Sequence, residues 1–144
     1  MEEKETVYAN TFVGFPTITA QSKGVTKNGH FYTKPEVLRA RMWFVNQFLK
    51  DAREIKKLYP DIGDDAFEVG IWYYYPISKK KFWGKYKTSR PDIDNQTKLI
   101  LDAITDTQLF WRDDSQVCEL HLCKKYEEIS KITIVINRIK EGKS

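Results

Sequence analysis

The sequence predicts a single α+β domain, a mixed sheet covered by two helices in the order β-α-β-α-β-β. Three observations predict it. Two stretches repeat apolar residues at helical spacing, four others alternate or cluster β-branched and aromatic residues as strands do, and proline and glycine punctuate the junctions. At 144 residues the chain fits one domain, 1–144, with neither repeats nor low-complexity tracts.

The first strand is read over Val7–Val13 and ends at Gly14 and Pro16. A polar, mildly basic loop follows to about Phe31, carrying Lys23, Gly24, Lys27 and Gly29. Thr33 and Glu36 have capping-box spacing around Pro35, which predicts a helix from about Lys34 to Tyr59. Its buried stripe is Val37, Leu38, the Arg41 stem, Phe44, Val45, Phe48, Leu49, Ala52 and Ile55. Pro60, Gly63 and neighbouring aspartates make a turn, and Phe67, Val69, Ile71, Tyr73 and Tyr75 alternate as a strand that Pro76 ends. Leu99, Ile100, Ala103 and Ile104 define the buried face of a second helix over about Asn95–Thr105, with Asp94 as its N-cap. Val117–Lys125 and Lys131–Ile139 read as strands of a hairpin turning near Glu127–Ser130.

Composition narrows the class. A 41% hydrophobic content with 14% aromatics supports a packed core, and a net charge of +4 suits an anionic partner. The acidic start, MEEKETVYANTFV, lacks a signal-peptide pattern, and no apolar run approaches the roughly 20 residues of a membrane span, so a cytoplasmic protein is expected. Cys118 and Cys123 fall on opposite faces of a strand, which disfavours a disulfide, and with two isolated histidines, His30 and His121, a structural zinc site is not expected. No Ser-His-Asp, Cys-His or Walker-type arrangement is present.

The charged residues concentrate in two places. Ile77–Arg90 holds Lys79, Lys80, Lys81, Lys85, Lys87 and Arg90 with Phe82, Trp83 and Tyr86 among them and no acid. Lysines neutralise phosphates while rings stack on unpaired bases, so the stretch reads as a DNA contact; the alternative is a solvated tip whose rings fold back on the core. It leads into Asp92 and Asp94, which precede the second helix, while Asp113 and Asp114 follow it. Acidic residues on both sides of a helix and turn can converge, and converging carboxylates repel unless a cation sits between them. Asp92 and Asp94 leave an extended backbone on one face, and Lys98 lies one turn beyond Asp94. The expected chemistry is phosphodiester hydrolysis by a divalent ion held by Asp92 and Asp94 with Asp113 or Asp114 as the third ligand, and with Lys98 against the phosphate or leaving oxygen. Asp102 reads as a surface partner of Lys98, and Asp61, Asp64 and Asp65 as an ordinary polar turn. A non-catalytic DNA-binding module and a phosphohydrolase of small nucleotides are the competing readings.

Arg90, Pro91, Asp92, Asp94, Asn95, Lys98, Asp102, Ala103, Trp111, Asp113, Asp114, Gln116 and Val117 together resemble the pattern of the RusA family, Holliday junction resolvases and related endodeoxyribonucleases of bacteria and their phages. Leu120, Lys124 and Tyr126 also suit it, and Gly14, Pro16, Tyr32 and Thr33 resemble its phage-type members. Relatives often carry arginines shortly after that Gly-x-Pro, where this chain has Gln21 and Lys23. The resemblance implies that Asp92, Asp94 and Asp114 are the essential carboxylates and Lys98 the essential lysine. It also implies Mg²⁺ or Mn²⁺, a homodimer, a bacterial or phage-encoded origin, and paired nicks in four-way or other branched DNA. The lysines of the loop, Arg90 and Lys124 are the candidate DNA contacts.

Overall fold

The computed structural model describes residues 2–17, 23–25 and 27–141, with the backbone alone for 23–25 and 31–33. Gln21 and the Lys23 side chain therefore lie outside the described residues. Strands β1 (Glu2–Val13), β4 (Ala66–Pro76), β5 (Val117–Glu127) and β6 (Lys131–Glu141) form one sheet in the order β1-β6-β4-β5. β6 is antiparallel to both neighbours, and β4 and β5 are parallel. A ribbon of β2 (Lys23–Val25) and β3 (Phe31–Thr33) occupies the stretch expected to be loop. Helices α1 (Pro35–Lys50), α2 (Ala52–Leu58) and α3 (Ile93–Thr107) complete the mixed α+β domain. No helix among the described residues is long and apolar enough to cross a membrane.

The expected hairpin of the last two strands does not form, because β4 runs between them. Only residues 128–130 separate β5 from β6, a length that suggests a hairpin. Burial explains the order. Val69, Gly70 and Ile71 are consecutively buried, as a central strand requires, whereas Cys118–His121 are exposed, as an edge strand permits.

The single helix expected over Lys34–Tyr59 is broken at Asp51, whose backbone leaves the helical region (φ −100°, ψ 8°). Its carboxylate accepts hydrogen bonds from Tyr8 Oη at 2.7 Å and Asn10 Nδ2 at 3.1 Å, so β1 anchors the break. The helix start also differs from the expected one, since Lys34 is the N-cap and Pro35 opens the helix, while the Thr33 side chain lies outside the described residues. Leu38 and Leu49, assigned to the buried stripe, are exposed; Val37, Ala40, Phe44, Val45 and Phe48 face inward. Phe48 packs against Tyr8, Phe12 and Phe110 with ring centroids 5.0–6.2 Å apart, which ties α1 to β1 and to the turn after α3.

Helix α3 runs antiparallel to β4. Near its start, Thr97 Oγ1 meets Tyr73 Oη at 2.6 Å, and near its end Trp111, bonded through Nε1 to Thr105 Oγ1, packs on Phe67. Thr97 spends its proton on the Ile93 carbonyl, so the Tyr73 hydroxyl is the donor of that pair. Gln96, fully buried, accepts from Tyr75 Oη at 3.4 Å and donates to the Pro16 carbonyl at 3.1 Å. These buried polar groups fix where α3 begins.

Candidate active site

Asp92 is the N-cap of α3, with extended backbone and no side-chain cap bond, so the expected capping position at Asp94 falls two residues too late. Asp94 instead occupies the first turn, where a negative charge complements the helix dipole. Both carboxylates are exposed and line one recess of about 590 Å³. Its other walls are Tyr86, Lys87, Ile93, His121, Leu122, Cys123 and Lys124. His121 thus stands at the recess and also packs on Trp72, with ring centroids 5.4 Å apart. Both cysteines are free thiols.

The turn that delivers Asp92 is held by Lys124, whose Nζ donates to the carbonyls of Ser89 at 2.6 Å and Pro91 at 2.8 Å. Burial and the neighbouring Lys87 press this ammonium below the usual lysine range, against the opposing pull of Asp92. Lys87 lies between the rings of Tyr75 and Tyr126, at 5.4 and 5.2 Å from their centroids, and donates to Ser89 Oγ at 2.6 Å. The Ser89 hydroxyl and the two lysines hold the Tyr126 phenol below its ordinary range. Lys124 and Lys87 are therefore built into the turn, whereas Lys79, Lys80, Lys81, Lys85 and Arg90 are exposed.

The basic stretch leaves β4 through a 3-10 turn at Lys80–Phe82 and then lies along the outer edge of β5. Gly84, in the left-handed region at φ 80°, makes the bend. Backbone bonds Gly84 N to Tyr126 O, Tyr126 N to Lys85 O and Lys87 N to Lys124 O, 2.8–3.0 Å long, pin the segment. The three rings divide between the two readings. Phe82 packs toward Tyr126 and Trp83 donates to the Ile77 carbonyl, while Tyr86 remains 70% exposed.

The acidic residues on the two sides of α3 do not converge. The 15 residues of α3 span roughly 22 Å, and β5 returns antiparallel to it, so that His121–Lys124 reach the level of Asp92 while the segment before Val117 stays at the far end. Asp113 and Asp114 sit in that segment. Asp113 caps a 3-10 turn over Asp114–Gln116, where bonds from Ser115 hold its carboxyl below the usual range. Gln116 closes the capping box and bonds the carbonyls of Gly63 and Asp65. Asp114 is exposed and outside the recess. Among the described residues, no three His, Cys, Asp or Glu side chains form a metal-holding group. The Asp92–Asp94 pair still fits a magnesium-like ion, which keeps several waters and is commonly bound through one or two carboxylates plus substrate phosphate.

Lys98 is exposed one turn beyond Asp94 and faces Asp102 at 3.7 Å, the surface pairing expected for Asp102. The 61–65 turn is structural, with Asp65 accepting from Tyr59 Oη at 2.7 Å and Asp64 pairing with Arg112 at 3.3 Å.

Residues 14–137 match the pattern of the family described as Endodeoxyribonuclease RusA. The chain belongs to the RusA endodeoxyribonuclease family. It is 36% identical over 72 residues to the crossover junction endodeoxyribonuclease rusA of Lactococcus phage r1t, an alignment covering 50% of this chain and 54% of the phage protein. It is also 36% identical over 141 residues to the uncharacterized protein YqaN of Bacillus subtilis (strain 168), covering 90% of this chain and 94% of YqaN. The two buried polar residues that seat α3 in this RusA-family chain, Gln96 and Thr97, went unread in the sequence. Their signal was positional, since they extend the stripe of Ile100, Ala103 and Ile104 toward the helix start.

Proposed function

We propose that this chain is a divalent-metal-dependent endodeoxyribonuclease that nicks four-way or other branched DNA, with Asp92 and Asp94 as its metal ligands. The observation that carries the reading is the pairing of these carboxylates in one recess at the start of α3, beside a lysine-rich segment. When bound, Mg²⁺ or Mn²⁺ supplies polarisation of the phosphodiester and a more acidic attacking water. Lys98, exposed and paired with the half-buried Asp102 at 3.7 Å, an ion pair worth at most about 1 kcal/mol, is free to exchange Asp102 for a phosphate oxygen and stabilise the added charge there. Lys79, Lys80, Lys81, Lys85 and Arg90 track the strands leading to the recess. Lys87 and Lys124 set the turn that presents Asp92.

Asp114, the third carboxylate of the family pattern, stands at the opposite end of α3 and reaches the same ion from a second copy of the chain. A homodimer sharing its sites in this way also places two symmetric cutting centres on a two-fold junction. A DNA-binding module without catalysis remains the second reading, and the spacing between Asp114 and the recess is the observation that favours it.

The direct test incubates the protein with a synthetic four-way junction and with linear duplex of the same sequence, in Mg²⁺ and in EDTA. Metal-dependent paired nicks confined to the junction are expected; a junction bound but never cut would leave the binding module standing. In the same assay, replacing Lys79, Lys80 and Lys81 by alanine should flatten the log-log salt dependence of binding by up to ~0.9 per lost phosphate contact. An unchanged slope would remove that segment from the interface.

Lys124→Met separates a clamp from a phosphate contact. Loss of the two carbonyl bonds is expected to weaken Mn²⁺ binding, read by calorimetry, about 10- to 100-fold, as loss of a ligand-orienting group does. The salt slope of junction binding should not move, and a flatter slope with intact Mn²⁺ affinity would make Lys124 a DNA contact instead.

A further inference from the structure

We propose that Tyr86 is a stacking platform for an unpaired nucleobase at the branch point, adjoining the phosphate served by Asp92 and Asp94. The proposal rests on the nuclease reading above and names the feature of the substrate that the recess selects. Tyr86 is the most exposed large hydrophobic side chain among the described residues. Its exposure is not that of a loose loop tip. The bridge to Lys125 and the flanking bonds to Lys124 and Tyr126 fix its backbone against β5. Phe82 and Trp83, its neighbours in the same stretch, are drawn back onto the protein, so the fold sorts three similar rings and leaves one displayed.

The surroundings define what the ring would take. Tyr86 borders the recess that holds Asp92 and Asp94, and Ile93, Leu122 and Cys123 give that recess apolar walls. Its volume of about 590 Å³ lies in the range of sites for small organic groups, about 300–1,000 Å³. Lys125 Nζ lies 5.0 Å from the Tyr86 centroid, placing a cation at the ring for the flanking backbone. A flat apolar face, apolar walls and nearby cations suit a base with its phosphate. Within duplex DNA both faces of a base are already covered by neighbours, so only a splayed or extruded base offers itself. Bases are freed in this way where strands part company, and the platform therefore favours branched over linear DNA without reading a sequence.

The test is a binding cycle in Ca²⁺ in place of Mg²⁺, using four-way junctions with a single abasic site walked through the nucleotides around the branch point. At one or two positions the abasic junction should bind wild type roughly 5- to 100-fold more weakly than the intact one, the range expected for one stacked base. Tyr86→Ala should bind the intact junction more weakly by a similar factor and show no further loss at the abasic position. Tyr86→Phe should match wild type, and Tyr86→Leu, which keeps apolar area without an aromatic face, should match the alanine variant. Tyr86→Ala with wild-type affinity and undiminished discrimination would overturn the proposal, as would full function in Tyr86→Leu. The side chain is exposed, so melting temperatures should agree across the set and identify any variant that fails to fold. Because the cycle reads binding alone, a chain that binds junctions but never nicks them fails the nuclease reading while the Tyr86 comparison still returns its own answer.

Discussion

Asp94→Asn is expected to lower Mg²⁺-dependent junction nicking by on the order of 100- to 1,000-fold while leaving the fold intact. The magnitude follows from losing a ligand to an ion that contributes several kcal/mol of charge stabilisation, at about 1.4 kcal/mol per tenfold. The structural cost is far smaller. Asp94 is exposed in the first turn of α3, and removing its charge forfeits a dipole interaction of about 0.3–1 kcal/mol. Junction affinity without metal should hold or rise, since one negative charge facing the phosphates is gone. The measurements are nicking rate, binding in EDTA and thermal melting on the same preparation. Undiminished nicking would remove Asp94 from the site, and a matching collapse in melting would reassign it to the scaffold.

The same assay tests the shared site. Asp94→Asn and Asp114→Asn are each expected to be nearly inert, but a mixture of the two contains heterodimers in which an unaltered Asp94 meets an unaltered Asp114 across the interface. Such heterodimers have one repaired centre and should give single nicks in place of paired ones. With both carboxylates acting within one chain, mixing would restore nothing. The distinction matters because Asp92 and Asp94 stand in the recess and Asp114 does not.

Why the sequence misjudged this point is a matter of lengths. Clusters on both sides of a helix look close in a one-dimensional reading, yet each helical residue separates them by about 1.5 Å, and a parallel β4–β5 pair then carries the returning chain back alongside α3. Asp92 and Asp94 were legible because their proximity is local, two residues apart at the start of α3, although the helix begins at Ile93 and only Asp92 is extended. The face of α3 was legible for the same reason. The partner of β5 was not, because a three-residue connection is compatible with a hairpin and with a crossing over the end of β4, and only burial across the whole sheet decides. Asp51 shows a similar limit: its helix-spaced surroundings conceal two bonds to a strand some forty residues earlier. In the basic stretch, composition identified cations and rings but could not tell that Trp83 would spend its N–H on Ile77 and Tyr86 would stay outside.

Trp111→Ala is expected to be the most destabilising of these substitutions, by about 3–5 kcal/mol, as for other large aromatic truncations in cores. Trp111 is 1% exposed and packs on Phe67 and Phe110, joining β4 to the turn after α3. For a domain of this size the melting temperature should fall by roughly 10–20 °C. Trp111→Phe should lose less, because the ring contacts largely persist and Thr105 keeps its bond to the Leu101 carbonyl when the indole N–H is gone. Proximity in sequence to Asp113 and Asp114 makes Trp111 look like a reporter of bound metal. Within one copy it lies at the end of α3 remote from Asp92 and Asp94, and only a site shared between two copies brings the ion near it. Calorimetry should find Mn²⁺ affinity in folded Trp111→Phe within about twofold of wild type, because the buried indole offers no ligand atom and its N–H is spent on Thr105. A large loss of affinity in Trp111→Phe at unchanged stability would instead show that the indole positions the Asp113–Asp114 turn for the ion.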